Sequence, residues 1–330
     1  MDLTPEQFED MVGAYALDAC EPDEVEAMER YMADHRESAI EVELLREVAA
    51  GLGAAGASSP PGALRERLLH AAADRVSSLD ADADVALQRE TDRFNAFLHT
   101  LGERDLGVRT HNGLTVHELV QHVEAIDRAF VDAAHDPTTA TIGPREVEAV
   151  TARDLSERVT EPFAETITRF RRTRGQLVRL REQLPADRRV GGYERDDTLV
   201  IRAFETWTHH DDLRRALAHD AALPDAEVMR TMAELAMKAL PLALAVTDSV
   251  RPGRTARIVL DGPGGGEWNV PCAPGESPSH NPDVVVRASV VDWCRRFADR
   301  IEPDDMSASF DGDAGLGRDL VAAASAFAGL

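Results

Sequence analysis

Glu205 and His209 stand four residues apart in the stretch RAFETWTHHDDLRRAL. On a helix that spacing puts a carboxylate and an imidazole on one face, a turn apart, where both can point at one metal ion. A third donor must come from another helix. His122 in TVHELVQHVEAID is the candidate, because it falls on the apolar side of its segment with Leu119, Val123 and Ile126. A polar ring on a buried face needs a partner, and a metal is one. Three protein donors leave a coordination position open, the arrangement of a catalytic rather than a structural zinc or similar divalent ion. The spacing also allows a plainer reading, in which Glu205 pairs with Arg202 or Arg214 and His209 is a hydrogen-bonded core histidine. Asp212 is placed either to orient a ligand histidine or to pair with Arg215 on the helix surface. His210 points about 100° away from His209 and is expected to be exposed.

The remaining chemistry-bearing residues offer less. His99, His111, His117 and His219 lack ligand spacing and read as surface residues. Trp207 reads as core. The three cysteines, Cys20, Cys272 and Cys294, are too few and scattered for a disulfide framework or a thiolate cage. Cys272 and Cys294 are expected to be buried as small hydrophobes, since neither sits at an evident helix N-terminus that would activate it. PGGG lacks the Lys-Ser/Thr of a phosphate loop and reads as a turn.

The elements that must position these residues are mostly helices. LTPEQFEDMVGAYAL, with Thr4 as N-cap and Pro5 in the first turn, and PDEVEAMERYM form two; a third runs from about Glu37 to Leu52. A Gly/Ala/Ser/Pro linker spans 51–62, and a short helix leads out of it to about Ser78. From 82 to about 250 the pattern is long and helical, in VALQRETDRFNAFLHTL, TVHELVQHVEAIDRAFVDAA, LSERVTEPFAETITRFRRTRGQLVRLREQL, LVIRAFETWTHHDDLRRALA and DAEVMRTMAELAMKALPLALAV. Four or five amphipathic helices make a bundle. After Arg251, TARIVLDG and EWNVPC read as a hairpin around PGGG, followed by the strand DVVVRAS, the helix VVDWCRRFADRI, the strand MSASFDG and a last helix. The expected organisation is mainly α with an α+β C-terminal domain, in three parts: 1–80, 81–250 and 251–330.

The chain of 330 residues carries 60 acidic and 36 basic side chains, a formal charge of −24. So acidic a surface repels phosphate backbones, which argues against direct nucleic-acid binding. Residues 1–80 hold 18 acidic and six basic residues, either a solvated face or a docking surface for a basic partner. The N-terminus has no basic stretch followed by an apolar core, and the most apolar run, Leu235 to Val246, is short and contains Lys238 and Pro241. Neither a signal peptide nor a membrane span is expected, and a reducing cytoplasm suits the cysteine count.

The stretch from about 85 to 218, with LTVHELVQHVEAIDRAF and RAFETWTHHDDLRRAL, resembles the metal-binding domain of mycothiol-dependent maleylpyruvate isomerases, a branch of the DinB-like four-helix bundles. The resemblance implies a divalent metal, usually zinc, on His122, Glu205 and His209. GGGEWNVP, PDVVVRASVVDWCRRFADR and FDGDAGLGRDLVAAASAFAG are similar to the sterol-carrier-like α+β domain that follows the bundle in these proteins. One departure stands out: many members have a Cys-Pro-Gly-Trp-like turn before the second helix, where this chain has His111, Asn112, Gly113 and Leu114. Separately, GAYALDACEPDEVEAMERYMADHRESAIEVELLREVAAGL is similar to small actinobacterial anti-sigma domains. The His-x3-Cys-x2-Cys zinc element of those domains is replaced here by Tyr31, His35 and Ser38, which implies a metal-free, hydrophobically packed version.

The first resemblance implies an enzyme that uses mycothiol as thiol cofactor on a small electrophilic substrate, isomerising an unsaturated acid or conjugating it to the thiol. An arginine such as Arg257 or Arg287 would then pair the substrate carboxylate. The second implies an alternative: a soluble anti-sigma-type regulator docking on a sigma factor through residues 1–80, its bundle a metal or ligand sensor.

Overall fold

The computed structural model describes residues 3–17, 19–20, 22–35, 38–39, 41–42, 44–46, 83–136, 141–185 and 187–327. The chain forms two compact units, Met1–Arg75 and Val76–Leu330. It is mainly helical, with a small sheet in its C-terminal part.

In the first unit, α1 (Pro5–Ala16) starts at a capping box: Thr4 accepts from the Gln7 backbone, and the Gln7 side chain accepts from Thr4 in return. α2 is Pro22–Asp34. Phe8, Val12, Tyr15, Met28 and Val42 form its apolar core. Tyr31 and His35 stack at 4.1 Å, and Phe8 stacks on Tyr31 at 4.9 Å, so Tyr31 and His35 belong to a ring stack. Of the expected third helix, residues 38–39, 41–42 and 44–46 are described and are helical. Its remainder, the linker and the helix to Ser78 lie outside the described residues.

The second unit is built on a bundle of α3 (Ala83–Leu98), α4 (Val116–His135), α6 (Phe163–Val178) and α8 (Arg195–Ala216), with α5 (Pro144–Glu157) laid against α4. The stretch LSERVTEPFAETITRFRRTRGQLVRLREQL, read from sequence as one helical pattern, is three pieces. α5 ends at Glu157; Pro162, which has no N–H to donate and disfavours helix before it, precedes α6; and a break at Arg179 leads to the single turn α7 (Leu180–Gln183). A hairpin that the helical pattern did not show, β1 (Arg189–Val190) and β2 (Tyr193–Glu194), then feeds α8. Its turn residues Gly191 and Gly192 have φ of 58° and 95°. A Cβ at Gly192 would come within 2.6 Å of Thr141, so both conformation and space demand glycine there.

Following α9 (Ala226–Val246), a four-stranded sheet forms in the order β4-β3-β5-β6, from β3 (Thr255–Asp261), β4 (Gly266–Pro271), β5 (Val284–Ser289) and β6 (Ser309–Gly312). β3 and β5 are parallel and the other pairs antiparallel. α10 (Val290–Phe297) and α11 (Ala314–Ala323) complete this part. α9 and these elements share one apolar core with the far half of the bundle, through Phe130, Trp207, Met232, Leu240, Ile258 and Trp293. A second core fills the near half, with Phe94, Phe97, Leu119, Val123, Phe170 and Leu213. Buried polar residues occur on all four bundle helices, among them Glu90 on α3, Glu124 and Asp127 on α4, Arg174 on α6, and Arg202 and His209 to Asp212 on α8. They form a polar layer inside the bundle, and the candidate ligands lie on two of its helices, α4 and α8.

Candidate functional site

α8 is the spine of the site and is buried on nearly every side, with His209, His210, Asp211 and Asp212 each 3–4% exposed. His210 therefore corrects the expectation of exposure: its ring packs against Phe94 and Phe97 at 5.6 and 5.0 Å. Burial, with Arg214 and Arg93 nearby, pulls its pKa down to about 4. A helix at the centre of a bundle has no solvent face, so the 100° step from His209 moves the ring from one neighbour to another.

His209 lies between two carboxylates. Its Nε2 is 3.3 Å from Glu205 Oε2 and its Nδ1 is 3.2 Å from Asp212 Oδ2. Burial alone would lower the His209 pKa, but hydrogen bonds to Asp212 and Glu205 outweigh it and raise the pKa above the ordinary value. Burial works against the charged form of Asp212 too, yet His209 and Arg300 hold its carboxyl far below the usual range.

His122 on α4 meets the same point from across the bundle, its ring edge-to-face with His209 at 5.1 Å. Its Nδ1 is 2.7 Å from Thr151 Oγ1 on α5. Burial, together with His209, Arg202 and Arg300, lowers its pKa well below the ordinary histidine value. The structure thus gathers His122, Glu205 and His209, and each imidazole has its Nδ1 engaged by an oxygen, Thr151 Oγ1 for His122 and Asp212 Oδ2 for His209, while His209 Nε2 faces Glu205. Two imidazole nitrogens and a carboxylate, with Nδ1 of each ring held from behind, are a donor set that fits a divalent ion of the zinc type. As placed, no three His, Cys, Asp or Glu side chains among the described residues stand close enough to share one ion.

The plainer reading of Glu205 meets other partners. Arg202 is committed to Asp127 (Nε to Oδ1, 2.8 Å), and Arg214 covers the Phe97 ring at 5.1 Å. Asp127 also faces Arg174 at 2.5 Å, so two buried guanidiniums flank one buried carboxylate beneath the site. Arg215 pairs with Asp211 at 2.7 Å, which leaves Asp212 to His209 and Arg300.

Arg300 was not singled out from the sequence. Its Nε lies 3.0 and 3.2 Å, and its Nη2 3.0 Å, from the Asp212 carboxylate. It is delivered by the end of α10, where Asp299 at φ 56° and the bonds Arg300 N to Arg295 O and Asp299 N to Arg296 O reverse the chain. The two arginines expected from this region are elsewhere: Arg257 reaches Asn269 and the His280 carbonyl, and Arg287 is an exposed residue of β5. Arg295, the other C-terminal arginine at the site, lies 3.3 Å from Asp211. His111 also corrects its surface reading in part. It is half exposed, but the turn His111–Leu114, closed by Thr110 N to Leu114 O at 2.8 Å, carries its Nδ1 to 3.5 Å from Asp212. Thr151, Arg295 and Arg300 carry no spacing signal that sequence could have used; His111 stood in a turn already singled out from the sequence.

Two cavities flank the cluster. One of about 550 Å³ is lined by Arg109, His111, Asp212, Arg215, Arg300 and Glu302 among others. The other, about 190 Å³ and mostly apolar, has Glu205 in its wall. Trp207, Cys272 and Cys294 are buried, as read from the sequence; burial pushes the two thiols up, to about 11 and about 12. No helix among the described residues is long and apolar enough to cross a membrane.

No curated protein matches the chain. Solved structures of the mycothiol-dependent maleylpyruvate isomerase and of a point variant of it are 18% identical over 69% of this chain and 92% of theirs, with TM-scores of 0.46 and 0.45. The family model described as the mycothiol maleylpyruvate isomerase N-terminal domain matches residues 87–214, the span that supplies His122, Thr151, Glu205, His209 and Asp212. Those residues of the bundle belong to that domain family.

Proposed function

We propose that this protein is a metal-dependent enzyme that brings a low-molecular-weight thiol, mycothiol by the family of its bundle, to a small electrophilic substrate. The outcome is either isomerisation of an unsaturated acid or transfer to the thiol. The observation that carries the reading is the meeting of His122 and His209 at 5.1 Å with Glu205 on the His209 Nε2. These three residues would hold the ion, zinc by the chemistry of the donor set. Bound there, a divalent ion lowers the pKa of a thiol and favours the nucleophilic thiolate at neutral pH.

The protein's own residues supply the rest. Asp212 would hold the His209 ring by its Nδ1 and Thr151 the His122 ring by its Nδ1, orienting both imidazoles. Arg109, Arg215 and Arg300 line the larger cavity together with the carboxylates of Asp212, Asp299, Glu302 and Asp305 and with His111, whose pKa burial lowers, which suits a polar ligand that both donates and accepts hydrogen bonds. In this reading 81–250 carries the ion and 251–330 contributes Arg295 and Arg300. Docking of residues 1–80 on a sigma factor has no support from these observations and is not part of the proposal. A cytoplasmic setting suits a thiol cofactor.

The test is metal content per chain of the purified, zinc-reconstituted protein beside His209→Ala and Glu205→Ala. About one ion per chain in the wild type and loss in both variants is expected, followed by thiol-dependent turnover. No ion bound by the wild type would remove the reading.

A further inference from the structure

His209 has a different cavity behind each of its two carboxylate partners. Asp212, on Nδ1, walls the larger polar cavity with Arg300; Glu205, on Nε2, walls the smaller one. The smaller cavity is formed by Ile201 and Phe204 of α8, Leu235, Ala239 and Leu242 of α9, and Phe297 of α10. Phe204 and Phe297 lie 5.4 Å apart at 54°, an aromatic corner against which a further ring can pack.

Exposure orders this cavity from rim to floor. Lys238, 55% exposed, is held at the rim by Glu194 and Asp197 at 2.8 and 2.7 Å, while Glu205 is 14% exposed and lies deeper. The rim lysine is thus already matched by two carboxylates, and Glu205 adds a third acidic group inside. An anionic ligand gains nothing here. Its volume of about 190 Å³ compares with the roughly 150 Å³ of an engineered apolar cavity that takes up benzene, so one ring or a short alkyl chain fills it.

We propose that the apolar cavity beside Glu205 receives a neutral apolar arm, about one ring in size, of the electrophile on which the histidine cluster acts. The inference rests on the reading of that cluster as the reacting centre. The substrate then has two unlike ends: a polar, hydrogen-bonding end on the Arg300 side of His209, and an uncharged hydrocarbon end on the Glu205 side. A small dicarboxylate would leave the second cavity unfilled, so this chain selects a more apolar electrophile.

Calorimetric titration of the full chain with toluene, benzoate and zinc tests this. Toluene is expected to bind saturably at one site per chain. Ala239→Phe, which fills the cavity from a half-buried helix position, should weaken toluene at least tenfold. Leu242→Trp, which closes it from the more exposed rim, serves as the second variant if the first does not keep wild-type near-UV circular dichroism. Benzoate should displace bound toluene with at least tenfold weaker apparent affinity than toluene itself. No saturable toluene binding to the wild type, equal binding to the folded filling variant, or benzoate displacing toluene as well as toluene binds would overturn the proposal. The zinc titration separates the two readings: zinc bound without toluene sinks this inference alone, whereas toluene bound without zinc sinks the metal site and the assignment of the arm to its substrate.

Discussion

Asp212→Asn isolates the group on which the candidate site turns. The amide keeps the shape of the carboxylate but loses its charge and half of its acceptor capacity. In the protein that carboxylate accepts from His209 Nδ1 at 3.2 Å and from Arg300 Nε and Nη2 at 3.0 Å. Losing the oriented partner behind a ligand histidine typically costs 10–100-fold in metal affinity, about 1.4 to 3 kcal/mol. The weakened pair with Arg300, whose side chain is 18% exposed, adds about 2 kcal/mol of lost folding stability. Zinc affinity by competition with a chromophoric chelator at pH 7.5, beside urea unfolding of the metal-free chain, reads the two effects separately. Because the Asp212 pKa is depressed in the fold, its stabilisation is present above the unfolded carboxylate pKa of 3.8 and is lost as pH falls below it. The stability gap between wild type and variant should therefore close in acid. A zinc Kd within twofold of wild type, in a variant that has lost stability, would refute the argument and leave Asp212 as a structural partner of Arg300.

Other expectations concern the polar layer and the helix ends. Glu90 is 1% exposed, and burial, only partly offset by Arg93, pushes its pKa up from 4.5 to about 7. The fold favours its neutral form, so Glu90 makes stability fall by about 3 kcal/mol as pH rises from 4.5 to about 7. Glu90→Gln should flatten that decline in urea midpoints taken from pH 5 to 8, and an unchanged slope would contradict it. Asp127→Ala removes the carboxylate between Arg174 and Arg202 and should cost about 3–5 kcal/mol by chemical denaturation; a cost below about 1 kcal/mol would show that the layer relaxes around the charges. Ala218 closes α8 at φ 56°, so Ala218→Gly should raise stability by about 1 kcal/mol, and a lower melting temperature would count against strain there.

Much of the bundle was legible because its information is local. TVHELVQHVEAIDRAFVDAA, read as one helical segment, is α4, whose start the structure closes with a Thr115–Glu118 capping box at 3.2 and 2.8 Å. The period of TVHELVQHVEAID put His122 on the apolar face, and PGGG between two β-rich runs gave the β3–β4 hairpin. The failures have equally local causes. α5, α6 and α7 merge into one pattern when the breaks at Glu157 and Arg179 are not weighed. His210 was assigned to solvent because a one-dimensional pattern assumes a helix has an outside, which α8 lacks.

Sequence by itself determined the Glu205–His209 pair, since four residues on a helix fix two side chains to one face whatever surrounds them. The identity of what stands behind and beside that pair was decided by the tertiary structure. Thr151 reaches His122 across 29 positions, and Arg300 reaches Asp212 across 88. The division of His209 between a polar and an apolar cavity depends on where α9 and the end of α10 come to rest against α8. Periodicity reports only which way a residue faces within its own turn or strand. What it faces is set by packing between segments distant in the chain, and here that packing turned a helical pair into a site with two unlike sides.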